Sequence, residues 1–316
     1  MRASLGIDLS KEHMDCAFSE GGEVFRLKYN TKGLQQLLSC LRRRPVEIVV
    51  FEATGSLYRR LMEELERENI PLVIANPKRV RDFARGLGRL AKSDPIDAQS
   101  LALYGEKSDV PATQLPTREE RELKDLCARR AQIIDVLVQE KNRLSSVPSS
   151  APTAISKSVK KVIRTLEAEI SELEKLIQNH IETCENLRNK AAILVSAKGV
   201  GPIVAAILIA YLPELGRINK REIASLCGLA PFDCDSGKCC GRRKIYAGRT
   251  VVRSALYMAT LSAVRWDPNI KQMYTRLVSN GKKKKVAQVA CSRKLIIVLN
   301  AMLRDSSVWK GVPNPT

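Results

Sequence analysis

Leu5-Gly6-Ile7-Asp8-Leu9 reads as a short apolar strand with one acid inside it. Working outward from that acid, residues 15–19 and 23–29 read as the next two strands, joined by a turn at Gly21-Gly22. Residues 32–43 have helical spacing through Leu34, Leu37, Leu38 and Leu41. Residues 46–51 form a continuous apolar run ending in Glu52, the pattern of a buried strand. Residues 56–69 give a second amphipathic helix, residues 72–75 a fifth strand, and a basic helix opens at Pro77.

Three strands, then helix, strand, helix, strand and helix, is the order of a ribonuclease-H-like fold, so residues 1–112 are expected to form an α/β domain. The first and fourth strands are neighbours in such a fold, which brings Asp8 and Glu52 together. Two more acids lie in Lys92-Ser93-Asp94-Pro95-Ile96-Asp97-Ala98. Pro95 suits a first helical turn, and a spacing of three puts Asp94 and Asp97 on one helix face. A carboxylate inside a central strand is costly unless its charge is offset. A pair of magnesium ions would offset it and would clamp the attacking and leaving oxygens of a phosphodiester. Taken singly, Asp94 also reads as a helix cap and Glu52 as a strand-end charge.

The rest of the composition narrows the class. The chain has 316 residues, with 53 Lys and Arg against 34 Asp and Glu, a net charge of +19. Such an excess favours a polyanionic partner, nucleic acid first. With 44% hydrophobic residues, disorder is excluded as a general description. Nine cysteines, an odd number in a long chain with no secretory segment at its start, read as reduced cytoplasmic thiols. Two histidines, His13 and His180, supply histidine-based zinc or Ser-His-Asp chemistry poorly. No segment reads as membrane-spanning; the most apolar stretch, 191–212, is interrupted by Lys198, Gly199, Gly201 and Pro202.

Residues 113–189 read as long helices with a hinge at 145–153. Ile163, Ile170, Ile177 and Cys184 repeat at seven, as do Leu166, Leu173, His180 and Leu187, a coiled-coil seam. An antiparallel hairpin within one chain and an intermolecular zipper both satisfy it, and His180 reads as a seam residue. Residues 190–316 are mostly helical. Lys198-Gly199-Val200-Gly201-Pro202 resembles a helix-hairpin-helix turn whose backbone N–H groups would meet a phosphate, or an ordinary tight connection. Between Gly241 and Lys294 stand 14 Lys or Arg and one acid, Asp267; residues 78–92 add six basic residues against Asp82. Clusters of this kind neutralise phosphates, although a single run such as Lys282-Lys283-Lys284-Lys285 also reads as a solvated surface. Ser236-Gly237 reads as a turn or as a nucleophile in a basic loop. Cys234, Cys239 and Cys240 lack the paired spacing of a zinc site and read as free thiols.

Taken together, Gly6-Ile7-Asp8, Phe51-Glu52-Ala53-Thr54-Gly55, Lys92 to Ala98, Gly199-Val200-Gly201-Pro202, Leu226 to Pro231, Ser236-Gly237 and Val252 to Ala259 resemble, in order and separation, one family over nearly the whole chain. That family is the DEDD-type insertion-sequence transposases, bridge-RNA-guided recombinases. The resemblance implies a RuvC-like N-terminal domain with Asp8, Glu52, Asp94 and Asp97 as an acidic tetrad binding magnesium. It implies a C-terminal domain in which Ser236 becomes covalently joined to a DNA end, homodimers that pair into tetramers, and an element-encoded guide RNA that chooses the DNA sites. Nucleic acid would be held by Lys198, Gly199, Gly201, Lys238, Arg242, Arg243, Lys244, Arg249, Arg253 and Lys282 to Lys285. Many members have glycine where this chain has Arg249. The alternative enzyme is a RuvC-type metal-dependent junction nuclease that needs no serine; a third reading is a non-catalytic nucleic-acid binder.

Overall fold

The computed structural model describes residues 2–21, 23–53, 55, 57–88, 94–232 and 244–309, with Asp94, Pro95 and Phe232 described by their backbone alone. They form two compact units, Met1–Leu115 and Pro116–Thr316. In the first, β1 (Ser4–Leu9), β2 (His13–Phe18) and β3 (Val24–Lys28) are followed by α1 (Thr31–Arg43), β4 (Ile48–Glu52), α2 (Tyr58–Arg67), β5 (Leu72–Ala75), α3 (Pro77–Gly86) and α4 (Asp94–Lys107). The strands make one mixed sheet in the order β3-β2-β1-β4-β5. β1 pairs antiparallel with β2 and parallel with β4. This is consistent with the ribonuclease-H-like expectation. The second strand begins two residues earlier than its apolar pattern suggests, at His13.

Alternation along each strand sorts the two faces. Leu5, Ile7, Leu9, Met14, Cys16, Val49 and Phe51 pack with Leu34, Leu37 and Leu38 of α1 and with Leu61, Met62 and Leu65 of α2. The opposite face carries Ile48, Val50, Val73 and Ala75 against Val80 of α3 and Leu101 and Tyr104 of α4. α1 and α3 are opened by Asn30 and Asn76, whose side-chain oxygens accept from Gly33 N and Lys78 N.

The second unit runs through α5 (Arg118–Ser145), α6 (Thr153–Thr183), α7 (Glu185–Val195), α8 (Pro202–Tyr211), α9 (Lys220–Leu226), β6 (Pro231–Phe232), β7 (Lys244–Ile245), α10 (Thr250–Trp266), α11 (Pro268–Ser279) and α12 (Lys284–Arg304). α5 opens on a capping box between Thr117 and Glu120. The heptad seam of α6 is buried against α5 of the same chain. Leu137 meets Val159 and Ile163 at one end of the hairpin, while Leu123 and Cys127 share a core with Ile177 and Ile181 at the other. Arg130–Glu174 at 2.5 Å and Lys141–Glu167 at 2.8 Å flank the seam. His180 is part of it: its Nε2 donates to the Glu119 carbonyl at 2.9 Å.

α8 is the central helix of this unit, with Ala205, Ala206, Leu208 and Ile209 buried. α12 is long and apolar enough to cross a membrane by length and composition. Its residues Cys291, Leu295, Ile296, Leu299 and Met302 are instead buried in the core, as in an internal helix of a folded domain. The six described cysteines are free thiols. Burial pushes Cys127 and Cys227 up to about 12 and Cys291 to about 11, so they are inert, apolar core groups.

Candidate active site

The acids of the first unit are placed by a contact made almost without side chains. A Cβ on Gly6 would lie 2.1 Å from the Ala98 carbonyl oxygen and 2.3 Å from the Ala102 nitrogen, so α4 rides directly on the backbone of β1. One on Gly105 would lie 2.7 Å from Val50 and 3.1 Å from Ser4 Cβ. The Ser4 hydroxyl donates to the Ala102 carbonyl at 2.6 Å. Ser4 thus faces the C-terminal part of α4 and Gly6 its middle, so α4 runs against β1. Its first turn, which holds Asp97, comes to the end of β1 that holds Asp8.

Asp8 shares a face with Ser4 and Gly6 by alternation. Ile7 pairs with Phe51 across the parallel strands, so Asp8 and Glu52 are the next residues along. The structure therefore places Asp8, Glu52 and Asp97 on one side of the sheet, at the C-terminal ends of β1 and β4. All three are half-buried. Asp94 begins α4, and its side chain lies outside the described residues.

A further acid, not marked by its sequence context, lies on the same face. Asp15 of β2 is directly opposite Asp8. Its side chain is only 6% exposed, and Arg26, its cross-strand partner on β3, grips both oxygens at 2.9 and 3.0 Å. Like charges directly opposite on a sheet repel, and the Arg26 guanidinium offsets that repulsion. Its place opposite Asp8 follows from the β1–β2 register, with Leu9 paired to Met14 and Asp8 to Asp15, which no local spacing in the sequence marks. Among the described residues, no three His, Cys, Asp or Glu side chains are grouped closely enough to hold an ion. The donor chemistry nevertheless fits magnesium, because the acids that share this face offer hard carboxylate oxygens.

In the second unit the proposed nucleophile Ser236, together with Lys238, Arg242, Arg243, Cys234, Cys239 and Cys240, lies outside the described residues. The ends of that stretch are brought together by β6 and β7, where Pro231 pairs with Ile245 and Phe232 with Lys244. Lys244 is exposed. Below it two glycines touch: Gly228 has φ +64° and Gly248 φ +74°, and a Cβ on Gly248 would lie 2.1 Å from Gly228 N.

Two arginines expected on nucleic acid are engaged inside the protein here. Arg249 holds both oxygens of Glu214 at 2.6 and 2.7 Å and donates to the Tyr211 carbonyl at 2.9 Å. Arg253 donates to the Ala247 carbonyl at 2.7 Å. The Gly199–Gly201 turn also divides. Gly199, at φ +92°, would place a Cβ 2.5 Å from the Ala259 carbonyl oxygen, so it serves the contact with α10. Gly201 caps α8 and faces open space, and Lys198 is exposed. Lys282 to Lys285 are exposed around the start of α12.

A family model described as a transposase matches residues 5–148, and one described as the transposase IS116/IS110/IS902 family matches residues 191–275. Together the two matches cover more than half of the chain. The chain is an IS110/IS116/IS902-family transposase. It is 25% identical over 312 residues to a pilin gene-inverting protein of Moraxella bovis, covering 96% of each chain. It is 21% identical to a probable family 20 transposase of Pseudomonas aeruginosa, covering 97% of this chain and 98% of that one. An insertion element IS900 protein of Mycobacterium paratuberculosis is 31% identical over 163 residues, 50% of this chain and 39% of that one. As a transposase the chain is an enzyme that cuts and joins DNA. The first family match spans Asp8, Glu52, Asp94 and Asp97 of this transposase, and the second spans Ser236.

Proposed function

We propose that this transposase moves its own insertion sequence by serine recombination at a composite site. The observation that carries the reading is the shared face of Asp8, Glu52 and Asp97 at the end of a sheet to which α4 is fitted backbone against backbone. Asp8, Glu52, Asp94 and Asp97 would hold magnesium, which when bound supplies Lewis-acid stabilisation to the oxygens of a phosphodiester. Ser236 Oγ attacks the phosphorus. The P–Oγ bond forms as the P–O3′ bond breaks; the serine proton is lost and the 3′ oxygen leaves as a hydroxyl. The same hydroxyl type, on a new partner strand, reverses the step and rejoins the DNA. Arg242, Arg243 and Lys244 supply positive charge to the developing phosphorane.

Rejoining distinguishes this reading from a junction nuclease. A protein named for inverting a gene must reseal what it cuts, and two such relatives align over nearly the whole chain. Lys198, Lys238 and Lys282 to Lys285 hold phosphate backbones, a homodimer pairs into a tetramer on donor and target DNA, and an element-encoded RNA selects the sites by base pairing. The last follows from the family resemblance and from the division in which pairing reads sequence while a basic protein holds backbones.

The test is a covalent adduct. The chain is expressed with its flanking DNA, supplied with labelled element junction and target in magnesium, quenched in detergent and digested with nuclease. Labelled protein that disappears in Ser236→Ala and in Asp8→Asn is the expected result. Cleavage without adduct, unchanged by Ser236→Ala, would replace this reading with the metal-dependent nuclease.

A further inference from the structure

The charged surface of the second unit divides into cations with an internal duty and cations without one. Arg249 and Arg253 belong to the first kind. α11 carries the second. Lys271, Gln272, Thr275, Arg276 and Ser279 all lie exposed on one side of it, and among the described residues their side chains take part in no hydrogen bond or ion pair. With Pro268 they form an open, nearly flat stretch of surface along the helix. The opposite side is anchored. Ile270 is buried with Ala263 and Cys291, and Met273 and Tyr274 pack beside them. Asp267 caps the helix, accepting from Asn269 N at 3.0 Å and Ile270 N at 2.9 Å, and its other oxygen accepts from Trp309 Nε1 at 3.0 Å. α11 is therefore a helix with a fixed back and an unemployed polar front.

Its surroundings have one sign of charge. Between Asp267 and Asp305 the sequence contains nine Lys or Arg and no acid. Lys282 to Lys285 follow α11 directly, exposed in the turn and first residues of α12. Positive charge at a helix N-terminus opposes the helix dipole, so this run is unfavourable until an anion meets it.

We propose that the outer face of α11 enters the major groove of duplex DNA. In this assignment Lys271, Arg276 and Lys282 to Lys285 neutralise phosphates, and Gln272, Thr275 and Ser279 meet the floor of the groove in DNA that stays duplex, outside the stretches an RNA would pair with. The dimensions suit B-form DNA: an α-helix with its side chains is about 10–12 Å across, and the B-form major groove is about 12 Å wide. A-form RNA closes its major groove to side chains, so an exposed helix face with amide and hydroxyl groups between cations fits DNA rather than a double-helical RNA. The inference rests on the assignment of the chain as a DNA-acting enzyme and adds where duplex DNA is held.

The experiment measures binding of the full-length chain, expressed with its flanking DNA so that any encoded RNA is present, to a fluorescent element-end duplex, to a duplex RNA and to an acidic peptide, each across a salt series. Lys271→Glu/Arg276→Glu should weaken duplex DNA binding about tenfold or more and flatten the salt dependence by about two phosphate contacts, with unchanged circular dichroism. Lys157→Glu/Lys160→Glu, exposed on α6 and equal in charge change, is the control and should bind like wild type. Gln272→Ala should remove protection of purine N7 atoms in the major groove. An α11 variant that binds duplex DNA as wild type, or a loss equalled by the α6 control, overturns the assignment. Loss confined to the RNA or peptide overturns it in favour of that partner. A wild-type chain that ignores all duplex DNA refutes the DNA-acting reading itself, which the α11 variant alone cannot do.

Discussion

The acidic end of the sheet and the basic face of the helical unit position their charges by opposite means. In the first unit position comes from missing side chains: Gly6, Ala98, Ala102 and Gly105 let α4 touch β1, and the acids fall into place at the end of that contact. In the second, position follows from which cations are already engaged. Arg249 and Arg253 brace the base of a loop, while Lys271 and Arg276 stand on a helix and have no internal partner among the described residues. Charge count alone therefore says little about function; the useful question is which charges the fold has already neutralised.

The comparison breaks first at Gly6. Gly6→Ala should cost about 3–5 kcal/mol, because backbone stands where its methyl would go and no flexible side chain can yield. Gly201→Ala, with open space around it and an ordinary φ of −85°, should stay within about 1 kcal/mol. Denaturant unfolding of both variants checks this, and equal costs would refute the close-contact account. Next comes the pair between buried Asp15 and exposed Arg26. Arg26→Ala leaves the Asp15 carboxylate uncompensated opposite Asp8 and should cost about 2–3 kcal/mol, whereas Arg42→Ala, which breaks an exposed pair with Glu68, should cost under about 1 kcal/mol.

The smallest effect sharpens the second half of the comparison. Burial pushes the Glu214 carboxyl up, but hydrogen bonds and charge from Arg249 outweigh it and hold the group below the ordinary carboxylate value. A depressed folded-state value stabilises above the ordinary carboxylate range, and that stability is lost as pH falls through the lowered value. Arg249→Ala should therefore cost about 1–2 kcal/mol at pH 7, with a gap to wild type that narrows below about pH 4. A gap independent of pH would mean that Arg249 acts by packing alone.

Much of the first unit was legible because alternation and pairing are local rules. Asp8 and Glu52 announce themselves as acids in or at the end of apolar runs, and parallel pairing of β1 with β4 does the rest. Asp15 was not legible as Asp8's neighbour, because the apolar pattern starts the second strand late and so misses the register that sets them opposite each other. The seam of α6 was equally plain, but a heptad pattern states what must be buried and not which helix will cover it. The Arg249–Glu214 bond joins residues 35 apart, and no local spacing predicts it. Nothing in the sequence separates Arg249 from Arg276; only the fold does.

The bond between Trp309 and Asp267 also sets an order in time. The first unit takes its sheet and α4 from residues before 116, so it can close while the ribosome is still making the rest. α11 receives the last support of its cap only when residue 309 has emerged. The nascent chain can thus complete the sheet that carries its cluster of acids before the basic helix is locked.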